Sequence, residues 1–365
     1  MYSFEPTEEQ QMLIEAVGRF AQTDLRPAAH EAEETGAWPD KLIHKGWELG
    51  LLQASIPEEF GGFGEHLSLT GALAGEEMAF GDLSGACVVG TPGLFALALL
   101  MAGSEQQKKE FLPKVTAADW QPYTAGLIEF EYDFDPNDLH TTAKKNSDHY
   151  LLNGEKAWVP FAIQSGAMII YANLDGKTQG FIVRKGAAGL AVNEDREKLM
   201  ALNAVPLYRV KLTDVKVSEQ DRLGGPEGHD FEPILASMRI ACSASAVGLA
   251  KAALEYSRDY AKEREVFGVK IAQKQAIAFM LAEMATEIEA IRLLTWEAAW
   301  KMDNKKDDAF IEAYLASMGA VDMAMMVTDR AVQILGGHGY IREHPVEMWM
   351  RNGRGIAMLT GLVMV

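Results

Sequence analysis

The spacing of apolar positions changes twice along the chain. From Thr7 to about residue 115 it is helical, with Met12, Leu13, Ala16, Val17 and Phe20 three or four positions apart. Thr7 before Glu8-Glu9 is the expected cap of the first helix, and Pro57-Glu-Glu-Phe-Gly-Gly-Phe-Gly64 reads as a break in the pattern. From Trp120 to about Leu223 the apolar residues fall in short runs: Tyr150-Leu-Leu152, Ala167 to Ala172, Gly180 to Val183, Tyr208 to Leu212 and Val215 to Val217. Such runs predict antiparallel strands, with Asn153-Gly154 and Asp175-Gly176 as hairpin turns. After Gly224-Gly-Pro226 the helical period returns, and Ile277, Met280, Leu281, Met284, Ile288 and Ile291 form one stripe. The expected architecture is α+β and mostly helical: an N-terminal helical domain (1–115), a central antiparallel β-domain (116–223) and a C-terminal helical bundle (224–365).

Composition narrows the function. The 365 residues carry 34 basic and 52 acidic side chains, a net charge of −18, which disfavours nucleic acid and anionic membrane as partners. An anionic ligand then needs a local cationic pocket. Cys87 and Cys242 are the two cysteines and fit neither a disulfide framework nor a zinc site, so a reducing cytoplasm is expected. The acidic N-terminus has no signal-peptide pattern. The apolar run Leu94 to Ala102 is about half of the ~20 residues that span a bilayer and reads as a core helix.

Two motifs carry chemistry. Arg264-Glu-Val-Phe-Gly268 lies upstream of Gln333-Ile-Leu-Gly-Gly-His-Gly-Tyr340, which leads through Pro345-Val-Glu347 to Arg351-Asn-Gly-Arg354. With Asn153-Gly-Glu-Lys-Ala-Trp158, this set resembles the acyl-CoA dehydrogenase family of flavoenzymes, over essentially the whole chain. The resemblance implies helical, β and four-helix-bundle domains, FAD as cofactor, and oxidation of an acyl-CoA to its trans-2-enoyl-CoA in fatty acid β-oxidation, with electrons passed to an electron-transfer flavoprotein. It also implies that Arg264, Phe267, Gly268, Gln275, Gln333, Gly336 and Gly337 hold the diphosphate and adenine side of FAD across a subunit interface, and that Trp158 stacks near the flavin. A guanidinium suits phosphate oxygens, and glycines let backbone N–H groups approach them. His338 reads as an ordinary loop residue, and Arg239 as either a structural helix arginine or part of the acyl cleft.

The chain departs from that pattern at the other end of the site. The family's catalytic glutamate, in Ile-Tyr-Glu-Gly-Thr, falls here on Thr360, and its alternative base position on Met238. Pro160 stands where a threonine hydroxyl bonds flavin N5. Phe130, Tyr132 and Phe134 replace proline, alanine and serine in the loop that contacts flavin and acyl-CoA, and Glu131 and Asp133 add charge there. Leu362 and Met364 take the place of ADP-binding Thr and Gln. The expectation is a subunit of a heteromeric acyl-CoA dehydrogenase, such as a heterotetramer, with no catalytic residue of its own, completing the FAD site of a homologous catalytic partner. Two alternatives remain: a homotetrameric enzyme using Glu129, Glu131, Asp133 or Glu232 as base, and a non-enzymatic CoA-ester or protein-binding scaffold.

Overall fold

The computed structural model describes residues 5–365. Its N-terminal part is helical: α1 (Glu8–Phe20), α2 (Arg26–Thr35), α3 (Asp40–Trp47), α4 (Leu51–Ala54), α5 (Ser68–Gly81), α6 (Leu83–Gly90), α7 (Gly93–Ala102) and α8 (Glu105–Val115). The Thr7 side chain accepts from Gln10 N while the Gln10 side chain accepts from Thr7 N, so the expected cap is a reciprocal capping box. The Leu94 to Ala102 run forms α7, whose residues 93–99 are all buried.

The β-domain contains β1 (Thr124–Gly126), β2 (Thr142–Asn146), β3 (His149–Pro160), β4 (Ala167–Leu174), β5 (Lys177–Arg184), β6 (Leu190–Val192) and β7 (Leu207–Ser218). Strand order is β1-β4-β2-β3-β7-β6, with β5 paired to β4. Most pairs are antiparallel, as expected, while β1 and β2 run parallel to β4. Asp175-Gly176 does turn the β4–β5 hairpin, with both residues at positive φ (53° and 81°) as a type I′ turn demands. Asn153-Gly154 does not turn a hairpin. It lies inside β3 at a bulge, where Asn153 exchanges two 2.9 Å hydrogen bonds with Asp214 and a Cβ on Gly154 would come within 2.7 Å of Thr141. The β2–β3 turn is Ser147-Asp148 instead, between the paired Asn146 and His149.

The C-terminal part packs α9 (Glu232–Glu263), α10 (Gln275–Asp303) and α11 (Ala309–Leu335), followed by the shorter α12 (Val346–Gly355). A small hairpin, β8 (Glu265–Val266) and β9 (Val269–Lys270), joins α9 to α10. Met284, Ile288 and Ile291 of the α10 stripe are buried. By length and composition, Glu232–Glu263 and Ala309–Tyr340 are apolar enough to cross a membrane, with 89% and 39% of their apolar windows buried inside the protein. The apolar character of α9 is therefore that of a central core helix. Two ion pairs, Glu76–Arg292 at 2.8 Å and Glu77–Lys251 at 2.7 Å, tie α5 to this bundle.

Candidate functional site

The end of α9, the β8–β9 hairpin and the end of α11 meet around an open cavity of about 630 Å³. Arg264, Phe267, Gly336, Gly337, Tyr260 and His338 are among its walls. Four residues singled out in the sequence are thus brought together, although Arg264 and Gly337 are 73 positions apart. The Arg264 guanidinium is exposed, and no carboxylate pairs with it among the described residues. Gly336 and Gly337 follow α11, and a Cβ built on either meets nothing within 4 Å. The backbone at this helix end is therefore open to a ligand. Phe267 and Gly268 are the two loop residues of the β8–β9 hairpin, both at positive φ. That conformation is unfavourable for phenylalanine, yet the residue is 92% exposed. Gln275 and Gln333 are exposed at the N-terminus of α10 and near the C-terminus of α11, outside the walls of this cavity.

His338 is more than a loop residue, contrary to the sequence reading. Its Nδ1 lies 2.9 Å from the Tyr260 hydroxyl, and its ring stacks on His344 at 5.2 Å with planes 13° apart. His344 in turn meets the Tyr256 hydroxyl at 2.7 Å. This ladder pins the glycine turn against α9. Tyr260 sits one helical turn before Arg264, a spacing that could have revealed it as a neighbour of the same site.

The tail and β-domain end of the predicted site is different in character. Thr360 is half-buried, and its hydroxyl faces the Cys242 thiol, which burial pushes up to about 12 with the Thr360 bond opposing. The neighbour of the glutamate's place is therefore a protonated thiol. Gly361 follows at φ 104°, where a Cβ would stand 3.2 Å from Ile128. Leu362 is buried in the main core, and Met364 packs partly buried against a second cluster. Met238 is fully buried among apolar residues and has no charge to offer. Pro160 is buried within β3, paired with Leu207 of β7.

Trp158 is half-buried at φ 51°, beside an irregularity in the β3–β7 pairing. Phe130 meets it edge-on at 6.2 Å, and the Arg209 guanidinium lies 4.0 Å from the Phe130 ring centre. Phe134 packs against two of the core clusters at once, so the loop's added bulk is used to join them. Arg239 is partly buried with its guanidinium 5.0 Å over the Tyr314 ring. Burial lowers its pKa and the nearby Glu232 opposes that.

Glu129, one of the alternative bases, is committed to structure. Its carboxylate accepts from Lys156 at 2.7 Å and from the backbone N–H groups of His140 and Thr141 at 2.7 and 2.8 Å. Burial alone would raise its pKa, but Lys156 and the Thr141 N–H hold it below the ordinary value. Lys156 is fully buried, and desolvation pulls its pKa down to about 8 against the attraction of Glu129. Glu129, Glu131 and His140 place ligand atoms within 4.8 Å of one another. Both Glu129 oxygens are already engaged, which leaves that cluster little capacity for a cation.

The residues around the large cavity fit the diphosphate end of an FAD: an unpaired guanidinium and two open glycines converge on one space. The β-domain end does not fit the flavin ring as well. It presents proline where a donor is needed, and Phe130 already lies against Trp158.

Comparison with known proteins agrees with this division of the chain into three. Family models for the N-terminal, middle and C-terminal domains of acyl-CoA dehydrogenases match residues 7–119, 127–215 and 231–362. The chain is 33% identical over 362 residues to the mitochondrial short-chain specific acyl-CoA dehydrogenase of Sus scrofa, covering 96% of this chain and 86% of that protein. It is 36% identical over 363 residues to a probable acyl-CoA dehydrogenase, YngJ, of Bacillus subtilis, covering 96% and 94%. The butyryl-CoA dehydrogenase structure from Megasphaera elsdenii superposes with a TM-score of 0.88 at 31% identity, covering 99% and 96%. On its sequence and its fold, the chain belongs to the acyl-CoA dehydrogenase family.

Proposed function

We propose that this chain is a non-catalytic subunit of a heteromeric acyl-CoA dehydrogenase and that it lends its diphosphate-binding cradle to the FAD of a homologous catalytic partner. One observation carries the reading: Arg264 and the Gly336-Gly337 turn stand open and unpaired around one cavity, while the glutamate's place is Thr360 beside a protonated thiol. Bound FAD would supply the hydride acceptor for the oxidation. This chain's residues would bind and orient its diphosphate, with Arg264 as counter-charge and the glycine turn as N–H donors. Proton removal from the acyl thioester needs a carboxylate within hydrogen-bond reach. In this reading the partner supplies it, because Thr360 stands at the glutamate's place here and Glu129 is held by Lys156 and two N–H groups.

An exposed apolar row on α11 supports such a pairing. Ile311, Tyr314, Leu315 and Met318, on one face of α11, are between 45% and 63% exposed. A helical row of exposed apolar residues fits burial against another subunit. The test is the flavin absorbance and subunit composition of the protein purified from its own host. One FAD per pair of different, related chains is expected. One FAD per identical chain, with turnover, would overturn the reading in favour of the homo-oligomer. A flavin-free protein with no such partner would favour a scaffold.

A further inference from the structure

The open cavity at the end of α9 is lined by three basic side chains, Arg264, Lys274 and His338, and by no carboxylate. In a chain of net charge −18 this is a marked local reversal, and it favours an anion there. Arg264 and Lys274 are exposed cations with no ion-pair partner among the described residues. His338 differs from both. It is half-buried, its Nδ1 meets the Tyr260 hydroxyl at 2.9 Å, and its Nε2 has no partner among the described residues. Histidine is also the side chain whose charge ordinarily changes near neutral pH.

The stacked pair is arranged for one proton, not two. The His338 and His344 rings lie 5.2 Å apart with planes 13° from parallel, so two imidazolium charges would repel each other. Each Nδ1 faces a tyrosine hydroxyl of α9, which can donate to a neutral ring or accept from a protonated one. The surroundings give neither ring a counter-ion among the described residues. On α9, Tyr256, Tyr260 and Arg264 face this end of the fold, while Asp259 pairs with Arg258 at 2.8 Å and Glu255 acts on Arg26. The start of α10 brings Lys274, and α11 brings only Ile334 and Leu335 to the cavity. In the segment before α12, Arg342 pairs with Glu34 and Glu343 is exposed; on α12, Glu347 holds Arg351 at 2.9 Å. A proton on the pair therefore gains most from negative charge that enters the cavity. His338 lines that cavity and His344 does not, so His338 is the ring that gains.

We propose that the cradle takes up its diphosphate together with a proton from solvent, held on His338, which thereby becomes a cationic ligand beside Arg264 and Lys274. The inference rests on the proposed cofactor role only for the identity of the anion, the diphosphate of FAD. Linkage fixes the sign: an anion that favours the charged ring is itself favoured by that charge, so affinity is greatest at low pH and falls as the ring loses its proton. The test is calorimetric titration of the full-length chain, freed of any flavin, with ADP-ribose in buffers of different ionisation enthalpy. ADP-ribose is a diphosphate diester with no titrating group of its own near neutral pH. Uptake approaching one proton per bound ligand is expected, with affinity falling by up to about tenfold per pH unit between about pH 6 and 8. His338→Gln should abolish the uptake and leave weaker binding that does not depend on pH, whereas His344→Gln should keep the uptake. The buffer series on the unaltered chain tests the proposal even where a variant fails to fold. No binding, binding without proton uptake, or uptake that survives His338→Gln in a folded variant would overturn it. FAD per chain is read separately, by absorbance of the assembly from its own host. A chain that takes ADP-ribose with a proton but shares no FAD would refute the cofactor role and leave this inference standing.

Discussion

The buried Lys156–Glu129 pair of the β-domain gives the sharpest stability prediction. Lys156 has no exposed surface and holds Glu129 at 2.7 Å while also donating to Leu127 O at 3.0 Å. Replacing it as Lys156→Met keeps much of the side-chain volume but leaves a buried carboxylate without its counter-ion. Removing one partner of such a pair costs about 3–5 kcal/mol, and here the lower end is expected because two backbone N–H groups still bond Glu129. The assay is urea unfolding of the full-length protein at several pH values. Without the ammonium, burial of the Glu129 carboxyl is opposed only by the remaining N–H bonds, so its folded pKa is expected to rise above the unfolded one. A raised acid adds stability below its unfolded pKa and loses it as pH climbs through the folded pKa. The deficit of Lys156→Met should therefore shrink as pH falls. Adding Glu129→Gln should recover part of the loss, with a coupling of about 1–3 kcal/mol between the two sites. A deficit below about 1 kcal/mol that is also independent of pH would refute this account. It would return Glu129 to the set of candidate bases.

Three further outcomes follow from the geometry. Thr360→Glu in the isolated chain should yield no dehydrogenase activity, because Pro160 and the Phe130–Trp158 contact remain; substantial turnover from that change would sink the multiply altered site. Arg264→Ala should lower FAD occupancy of the purified assembly with the melting temperature of the flavin-free protein nearly unchanged, since no described carboxylate pairs with it; full occupancy would argue against the shared cradle. Burial, aided by Arg222, lowers His229 to about 4, below its ordinary 6.5, while Asp230 opposes. The unfolded chain then binds the extra proton first as pH falls, so stability is lost between pH 6.5 and about 4, by about 1.4 kcal/mol per unit. His229→Gln should flatten that part of the unfolding profile, and an unaltered slope would count against it.

Periodicity carried most of the fold because apolar spacing is a local consequence of burial: the stripe from Ile277 to Ile291 and the run in α7 both lie where it indicated. It failed where long-range contact overrode a local preference. Asn153-Gly154 has hairpin chemistry, yet Asp214 takes the Asn153 side chain and Thr141 crowds Gly154, so the pair becomes a bulge. The parallel pairings of β4 were equally hidden, since strand direction is set by partners distant in sequence. Motif spacing singled out Arg264, Phe267 and the Gly336-Gly337 turn, which line one cavity. It could not show that His338 and His344 stack, because neither residue has a distinctive spacing to the tyrosines that hold them. A cavity between α5, α6 and α9 was also illegible: glycines and alanines on these helices signal a void only once the three face one another.

The two ends of the predicted site differ in what the fold itself gains from them. Pro160, Phe134 and Leu362 depart from the family pattern and are absorbed by packing: a buried sheet position, a bridge between two cores and a core side chain. Arg264 and Phe267 match the pattern and give the isolated fold little. The guanidinium pairs with no described carboxylate, and Phe267 is 92% exposed on a backbone turn unfavourable to it. Exposed side chains of this kind contribute within about 0.5 kcal/mol to stability, and the positive φ of Phe267 is a cost. Stability therefore does not explain these two residues, and the proposed cofactor role would. The same reasoning separates the readings: a scaffold would need neither an unpaired arginine nor an open glycine turn. An enzyme using the family's own base position would need a carboxylate where Thr360 stands, beside a protonated thiol.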